Sequence, residues 1–169
     1  MLAAIVLGTN YGGLMERGIT FSLLLLLTTL IVGFTEEAIF RGIGVTTFRR
    51  NGYTEAKVAL WTTILFGLAH STNFFTEGPG AFSQVFTTIV AGYLFYLIRR
   101  RTGGLVAPAI VHGLWDFGLI TTIMIPNQPY PGALLFILVG IALIITVLTR
   151  FRSVELPKAA ESEKVNAAA

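Results

Sequence analysis

Five long apolar stretches, separated by short polar segments, constrain this chain most strongly. A helix that spans a bilayer needs about 17 to 25 predominantly apolar residues. The sequence is 54% hydrophobic and only 12% charged, which is too apolar for an ordinary soluble domain. It therefore predicts an all-α, polytopic transmembrane helical bundle with about five spanning helices, at residues 18–40, 58–75, 81–98, 104–125 and 132–149.

The basic residues are sorted by loop, which indicates membrane orientation. Ten of the twelve Lys and Arg residues fall at 49–57, at 99–101 or after 149, whereas loops 71–80 and 126–131 contain none. Under up-and-down threading these ten lie on one face, which the positive-inside rule makes cytoplasmic. We therefore predict a multi-pass integral membrane protein with cytoplasmic basic loops and C-terminus. The net charge of +3 then reflects orientation, with membrane lipids as partners and no nucleic acid.

Composition divides the chain into three segments. Residues 1–17 are too short to span and predict a short N-terminal apolar or interfacial segment. Residues 18–150 form the predicted helical domain. Residues 151–169 are rich in Ala, Glu and Lys with little apolar content, which predicts a disordered cytoplasmic tail.

Two adjacent carboxylates and an arginine interrupt the first apolar stretch. An ionisable group near the middle of a span costs about 2.5 to 3.5 kcal/mol, so such groups usually face a protein interior or a wet cavity. Glu37 and Arg41 are four residues apart, in the favourable order for a helical ion pair. Glu36 points about 100° away from Glu37 on an α-helix. We expect Glu37 and Arg41 to anchor the helix and Glu36 to act as a base on water.

The histidines and the single aspartate also lie inside predicted spans. Counting from the basic loops at 1.5 Å per residue puts Glu36, His70 and Asp116 roughly 20 Å deep and His112 at ~14 Å. His112 and Asp116 are four apart and share a helix face, as do Phe66 and His70. Four polar groups from three spans are therefore predicted to form one intramembrane site.

Other hydrolase chemistries are excluded by the residues present. There is no cysteine, no His-Glu-x-x-His, no Gly-x-Ser-x-Gly, and too few aspartates for a two-aspartate mechanism. A non-catalytic membrane scaffold, immunity factor or proton or ion relay is the alternative to an enzyme. A relay would string ionisable groups across the membrane, whereas here they share one layer, which favours catalysis.

Three spaced motifs resemble those of a known family. Glu36-Glu37-x-x-x-Arg41, Phe66-x-x-x-His70 and His112-x-x-x-Asp116 occur in this order on successive predicted helices. They are similar to the motifs of the CAAX protease and bacteriocin-processing (CPBP, Abi) family, which includes the type II CAAX prenyl endopeptidases. The resemblance covers roughly residues 34–117, and the three motifs together are specific although each alone is weak.

The resemblance implies a glutamate-dependent intramembrane endopeptidase, with residues 18–150 as its protease domain and Phe66 shaping the pocket. Glu36 and His70 would activate water, while His112 and Asp116 would bind the oxyanion, and no cofactor is expected. The substrate would be a peptide or lipidated protein, such as a prenylated C-terminal (CAAX-like) tail or a leader peptide.

The last motif departs from the family, which more commonly has asparagine where this chain has Asp116. Three interpretations stay open: Asp116 is protonated and donates a hydrogen bond, Asp116 orients His112, or the site is metal-assisted. In the third, Glu36, His70, His112 and Asp116 would be ligands of a divalent metal such as zinc.

Overall fold

A computed structural model describes residues 1–123 and 130–154, and every regular element in these ranges is helical. This confirms the all-α prediction for that part of the chain. The elements in chain order are α1 (Leu2–Gly8), α2 (Tyr11–Arg17), α3 (Ile19–Glu37), a π-helix (Ala38–Gly44), α4 (Val45–Arg50), α5 (Glu55–Ala69), a 3₁₀ helix (His70–Asn73), α6 (Phe74–Glu77), α7 (Gly80–Thr102), α8 (Val106–Thr121) and α9 (Gly132–Val154).

Two helices in the described ranges are long and apolar enough to cross a membrane. The first, Ile19–Arg50, runs without a break through α3, the π-helix and α4, and the second is Ala81–Thr102. Val106–Thr121 and Gly132–Leu143 are apolar but shorter. Two apolar helices of spanning length are therefore present, and the count of five stays a prediction.

The second predicted span is interrupted where its polar motif begins. A continuous helix was predicted over residues 58–75, but α5 ends at Ala69 after 15 residues and a 3₁₀ helix follows from His70. Fifteen residues rise only about 22 Å, short of a ~30 Å hydrocarbon core. The residues after His70 explain the break, because Ser, Thr and Asn side chains compete for backbone groups. The Thr72 hydroxyl, for example, donates to the Ala69 carbonyl at 3.0 Å.

Glycines let α3 and α8 cross at very short distance. A Cβ on Gly33 would lie 2.6 Å from the Gly113 nitrogen, and a Cβ on Gly113 would lie 2.7 Å from the Leu30 Cα. Pro108 occupies the third position of α8, within the first turn where a missing amide is tolerated. The crossing brings the last turn of α3 beside the middle of α8.

A polar cluster ties α4, α5 and α7 together at the basic ends of the helices. Arg49 binds Glu55 through two hydrogen bonds, of 2.6 and 2.9 Å, and the Tyr96 hydroxyl donates to the same carboxylate. Burial raises the pKa of Glu55, but the hydrogen bonds from Arg49 and Tyr96 outweigh this, so the pKa lies below its usual value. Beneath the cluster, Val45 and Val58 pack against the Tyr96 ring.

The chain ends differ in part from the predicted boundaries. Segment 1–17 forms the short helices α1 and α2, and α1 packs against α8 and α9. The Asn10 amide donates to the Thr121 hydroxyl at 2.9 Å, which fixes the α1–α2 junction to α8. Helix α9 ends at Val154, four residues beyond the predicted boundary at 150, so residues 151–154 are helical. The rest of the predicted disordered tail, residues 155–169, lies outside the described residues.

Candidate active site

A fully buried ion pair lies at the centre of the bundle. Arg41 Nη1 is 2.9 Å from Glu37 Oε1, and both side chains are 0% exposed. Arg41 Nη2 donates to the Gly92 carbonyl at 2.7 Å, and the guanidinium carbon lies 4.2 Å from the centroid of the Phe66 ring. A Cβ on Gly92 would lie 2.9 Å from Arg41 Nη2, so a side chain there would crowd the guanidinium. The buried charge thus has a carboxylate, a carbonyl and an aromatic face as partners.

A π-helix follows directly after the two carboxylates. It runs from Ala38 to Gly44, and the Val45 amide bonds the Phe40 carbonyl five residues back. Short π segments inside α-helices occur frequently at functional sites. Because this segment has wider turns than an α-helix, it changes the direction in which the residues after Glu37 face. The segment contains Gly42 and Gly44, which have no side chain to restrict the backbone to α-helical geometry.

Three carboxylates surround the buried His112 ring. Its Nδ1 lies 3.1 Å from Glu37 Oε1, and a carboxylate oxygen accepts, so Nδ1–H is the donor. Its Nε2 lies 3.5 Å from Glu36 Oε2 and 3.4 Å from Asp116 Oδ2. Glu37 therefore contacts both Arg41 and His112, while Glu36 and Asp116 meet at the opposite nitrogen.

The carboxylates beside Nε2 are more exposed than the carboxylate beside Nδ1. The Glu36 and Asp116 side chains are each 28% exposed, in contrast to the fully buried Glu37. Glu36 Oε2 is itself buried and has no hydrogen-bond partner within the described ranges. A buried carboxylate oxygen without a donor is unfavourable unless a water or a ligand group binds it. The unsatisfied Glu36 oxygen therefore marks this carboxylate as a group that a water or a substrate atom would stabilise.

His70 joins this cluster through Phe66. Its Nδ1 lies 2.9 Å from the Phe66 carbonyl oxygen, which can only accept, so Nδ1 carries the proton. This hydrogen bond leaves Nε2 as the ring nitrogen of His70 that can face a substrate or a water. The Phe66 ring makes edge contacts with both histidines, at 5.0 Å to His70 and 5.6 Å to His112. No carboxylate among the described residues lies within 4 Å of His70.

Helix α7 supplies two groups that the motif analysis missed. Phe95 stacks on the His112 ring at 4.4 Å with an interplanar angle of 18°, and the Gly92 carbonyl binds Arg41. Residues 81–98 contain no charged side chain, so this stretch carried no signal of a catalytic motif. The available signal was Gly92 itself, because a glycine inside an apolar helix often marks a close approach.

Metal coordination has no preformed ligand cluster in the described part of the chain. No group of three or more His, Asp or Glu side chains there is arranged to hold a metal ion. Glu36, Asp116 and His112 come together, but His70 is held toward Phe66. The four-residue metal set therefore stays an alternative that metal analysis must test.

The fold and site define a class: all-helical proteins that bury ionisable side chains among apolar helices, two of which are long enough to cross a membrane. Residues 18–118 match the family model described as "Type II CAAX prenyl endopeptidase Rce1-like", a range that covers more than half of the chain and all of the site residues above. The chain belongs to this family, which confirms the resemblance drawn from its motifs. Searches of curated proteins and of solved structures gave no match. Family membership makes the chain a membrane protein of a CAAX protease family, with endopeptidase activity in general.

Proposed function

We propose that this protein hydrolyses a peptide bond inside the membrane by using a water activated by Glu36. The observation that carries the proposal is the convergence of Glu36 and Asp116 on His112 Nε2 while Glu37 binds Nδ1 of the same ring. One charged network is thereby divided into a fully buried side and a partly open side. The open side is where a substrate carbonyl and a water can meet.

Glu36 is the proposed general base. A carboxylate in a poorly hydrated cavity is a stronger base than in water, and Glu36 Oε2 has no hydrogen-bond partner in the described part of the chain. Glu36 takes a proton from the water as the water oxygen attacks the scissile carbonyl carbon. The proton then passes to the amide nitrogen, the C–N bond breaks, and a new carboxylate and amine leave. His70, with its free Nε2, assists in orienting the water.

His112 is the proposed oxyanion donor. The Glu37 carboxylate binds Nδ1–H and fixes the ring, Phe95 stacks on its face, and Arg41 holds Glu37 in turn. A proton on Nε2 would then point toward the open side, where the tetrahedral oxyanion forms. A preorganised donor of this kind is commonly worth about 10² to 10³ in rate.

Asp116 is the proposed positioning group for that donor. Its Oδ2 lies 3.4 Å from His112 Nε2, a distance that supports a role in orienting the ring. An asparagine there would present a similar oxygen together with an amide donor, so both residues fit the same function. Either can hold the histidine beside the oxyanion.

The membrane arrangement that goes with this mechanism has five spans and cytoplasmic basic loops. The ion pair and His112 then lie at intermediate depth, and the substrate enters from the cytoplasmic side. A prenylated C-terminal tail suits this site because its lipid would remain in the bilayer while the peptide reaches Glu36. Leader peptides are the second substrate class.

Comparative proteomics of membranes tests the function. Cells expressing the wild-type chain should contain new peptide termini that are missing with Glu36→Gln at equal expression. A matched Glu16→Gln variant, which neutralises an exposed glutamate on α2, should give the wild-type pattern. Identical termini with wild type and Glu36→Gln would instead support the non-catalytic scaffold, immunity factor or relay.

A further inference from the structure

An open groove lies along the π-helix and α4, and neither Glu37 nor Arg41 lines it. Its volume is about 540 Å³, and we call it the cationic groove. Its apolar part is formed by Ala38, Gly42, Ile43 and Leu105, and its cationic end by Arg50 and Arg99. None of these side chains takes part in the proposed chemistry.

Neither arginine of the cationic groove has a carboxylate partner in the described ranges, in contrast to Arg49. Arg49 is bound to Glu55, but Arg50 and Arg99 have no carboxylate within 4 Å in the described ranges. Arg99 Nε is buried and has no acceptor there. Buried charged donors are normally satisfied, so the Arg99 side chain lacks a charge partner that an anionic ligand in the groove would supply. Guanidinium groups bind phosphate oxygens especially well, since their donors match phosphate geometry.

The groove is apolar at one end and cationic at the other, which complements the apolar acyl chains and the anionic headgroup of a phospholipid. Its apolar part begins at Ala38, and Arg50 follows 12 residues later in the same continuous helix, roughly 18 Å along its axis. Ile43 is 67% exposed, so an acyl chain could cover it. The cationic end coincides with the helix ends where the basic residues cluster, at the level of lipid headgroups.

We propose that the cationic groove binds one anionic phospholipid, with its phosphate between Arg50 and Arg99 and an acyl chain along Ala38 and Ile43. A free phosphate would satisfy the arginines but leave the apolar part uncovered, which is why a lipid is the better ligand. The site is independent of the proposed peptide hydrolysis, because it uses neither Glu36 nor the histidines.

Native mass spectrometry of the full chain in detergent tests this site. The protein is titrated with dioleoylphosphatidylglycerol or with dioleoylphosphatidylcholine, and a third series adds inorganic phosphate as a competitor. Arg99→Gln and Arg50→Gln should each weaken retention of the first phosphatidylglycerol by roughly tenfold or more, as expected for losing a charge-assisted hydrogen bond. Arg101→Gln removes the same charge from an exposed position two residues away and should change retention less than about twofold.

Circular dichroism in the same detergent checks the fold of each variant. Arg50 is exposed, so Arg50→Gln provides the test even if Arg99→Gln does not fold. Retention of phosphatidylglycerol that exceeds phosphatidylcholine and resists inorganic phosphate supports the proposal. Equal loss with Arg101→Gln, equal retention of both lipids, or displacement by inorganic phosphate would overturn it.

Discussion

Replacing Gly33 by alanine should separate the two helices that carry the site. A Cβ on Gly33 would lie 2.6 Å from the Gly113 nitrogen, 2.8 Å from the Ala109 carbonyl oxygen and 3.0 Å from the Gly113 Cα. All three are backbone atoms of α8, so no side-chain rotation relieves the contact. Ordinary contact between non-bonded heavy atoms is about 3.5 to 4.0 Å, so α3 and α8 must move apart by roughly 1 Å.

That displacement acts directly on the contacts between Glu36 and His112. These side chains lie three residues beyond Gly33 on α3 and one residue before Gly113 on α8, and their nearest polar atoms are 3.5 Å apart. A misplacement of about 1 Å costs on the order of 10² in rate, and overpacking a close contact costs about 1 to 3 kcal/mol in stability. We therefore expect Gly33→Ala to lower kcat for peptide cleavage about 100-fold while the helical content remains.

The assay measures the initial rate at which purified protein cleaves a prenylated peptide. A second glycine-to-alanine change within a helix serves as the control. Gly140→Ala is the matched change, because Gly140 lies in α9 and its Cβ would meet no atom of the described residues within 4 Å. This variant should cleave at the wild-type rate. Full activity in Gly33→Ala would refute the reasoning that the α3–α8 crossing positions Glu36 against His112.

Three further predictions concern the charged groups. The cleavage rate of Asp116→Asn should stay within a few-fold of wild type, whereas that of Asp116→Leu should fall about 100-fold. An inactive Asp116→Asn protein would show that the negative charge is required. Arg41→Gln should destabilise the protein by about 3 to 5 kcal/mol in denaturant unfolding, because it leaves the buried Glu37 carboxylate without its cation. The exposed Arg101→Gln should change stability by less than about 0.5 kcal/mol, and similar values for the two variants would contradict a stabilising role for the pair. Purified protein should contain no stoichiometric zinc and keep its cleavage rate in a chelator, whereas a one-to-one metal content with loss of activity on chelation would favour the metal-ligand set.

Local spacing was enough to predict contacts within one helix. Glu37 and Arg41 are four residues apart and form the buried pair, and His112 and Asp116, also four apart, approach within 3.4 Å. These contacts follow from helix geometry alone, so they need no knowledge of tertiary packing. The depth count also predicted that Glu36 and His112 come together, although their catalytic roles stay proposals.

Contacts between helices were harder to predict. The depth count put His112 and Glu36 in one layer, but it could not show that Glu37 also reaches His112 or that Phe95 stacks on it. Those contacts depend on where glycines allow helices to cross, which a hydropathy pattern does not encode. The π-helix after Glu37 and the break at His70 were missed for a related reason. Both depend on backbone hydrogen bonds that local side chains and packing redirect.

The most direct test of the mechanism is the cleavage rate of purified Glu36→Gln. The variant keeps the size of the side chain but removes its basicity, and general-base catalysis typically contributes about 10² to 10⁴ in rate. On a prenylated peptide that the wild-type protein cleaves, Glu36→Gln should lose at least roughly 100-fold while its helical content and unfolding midpoint match those of Glu16→Gln. A folded Glu36→Gln protein that cleaves at the wild-type rate would contradict Glu36 as the base.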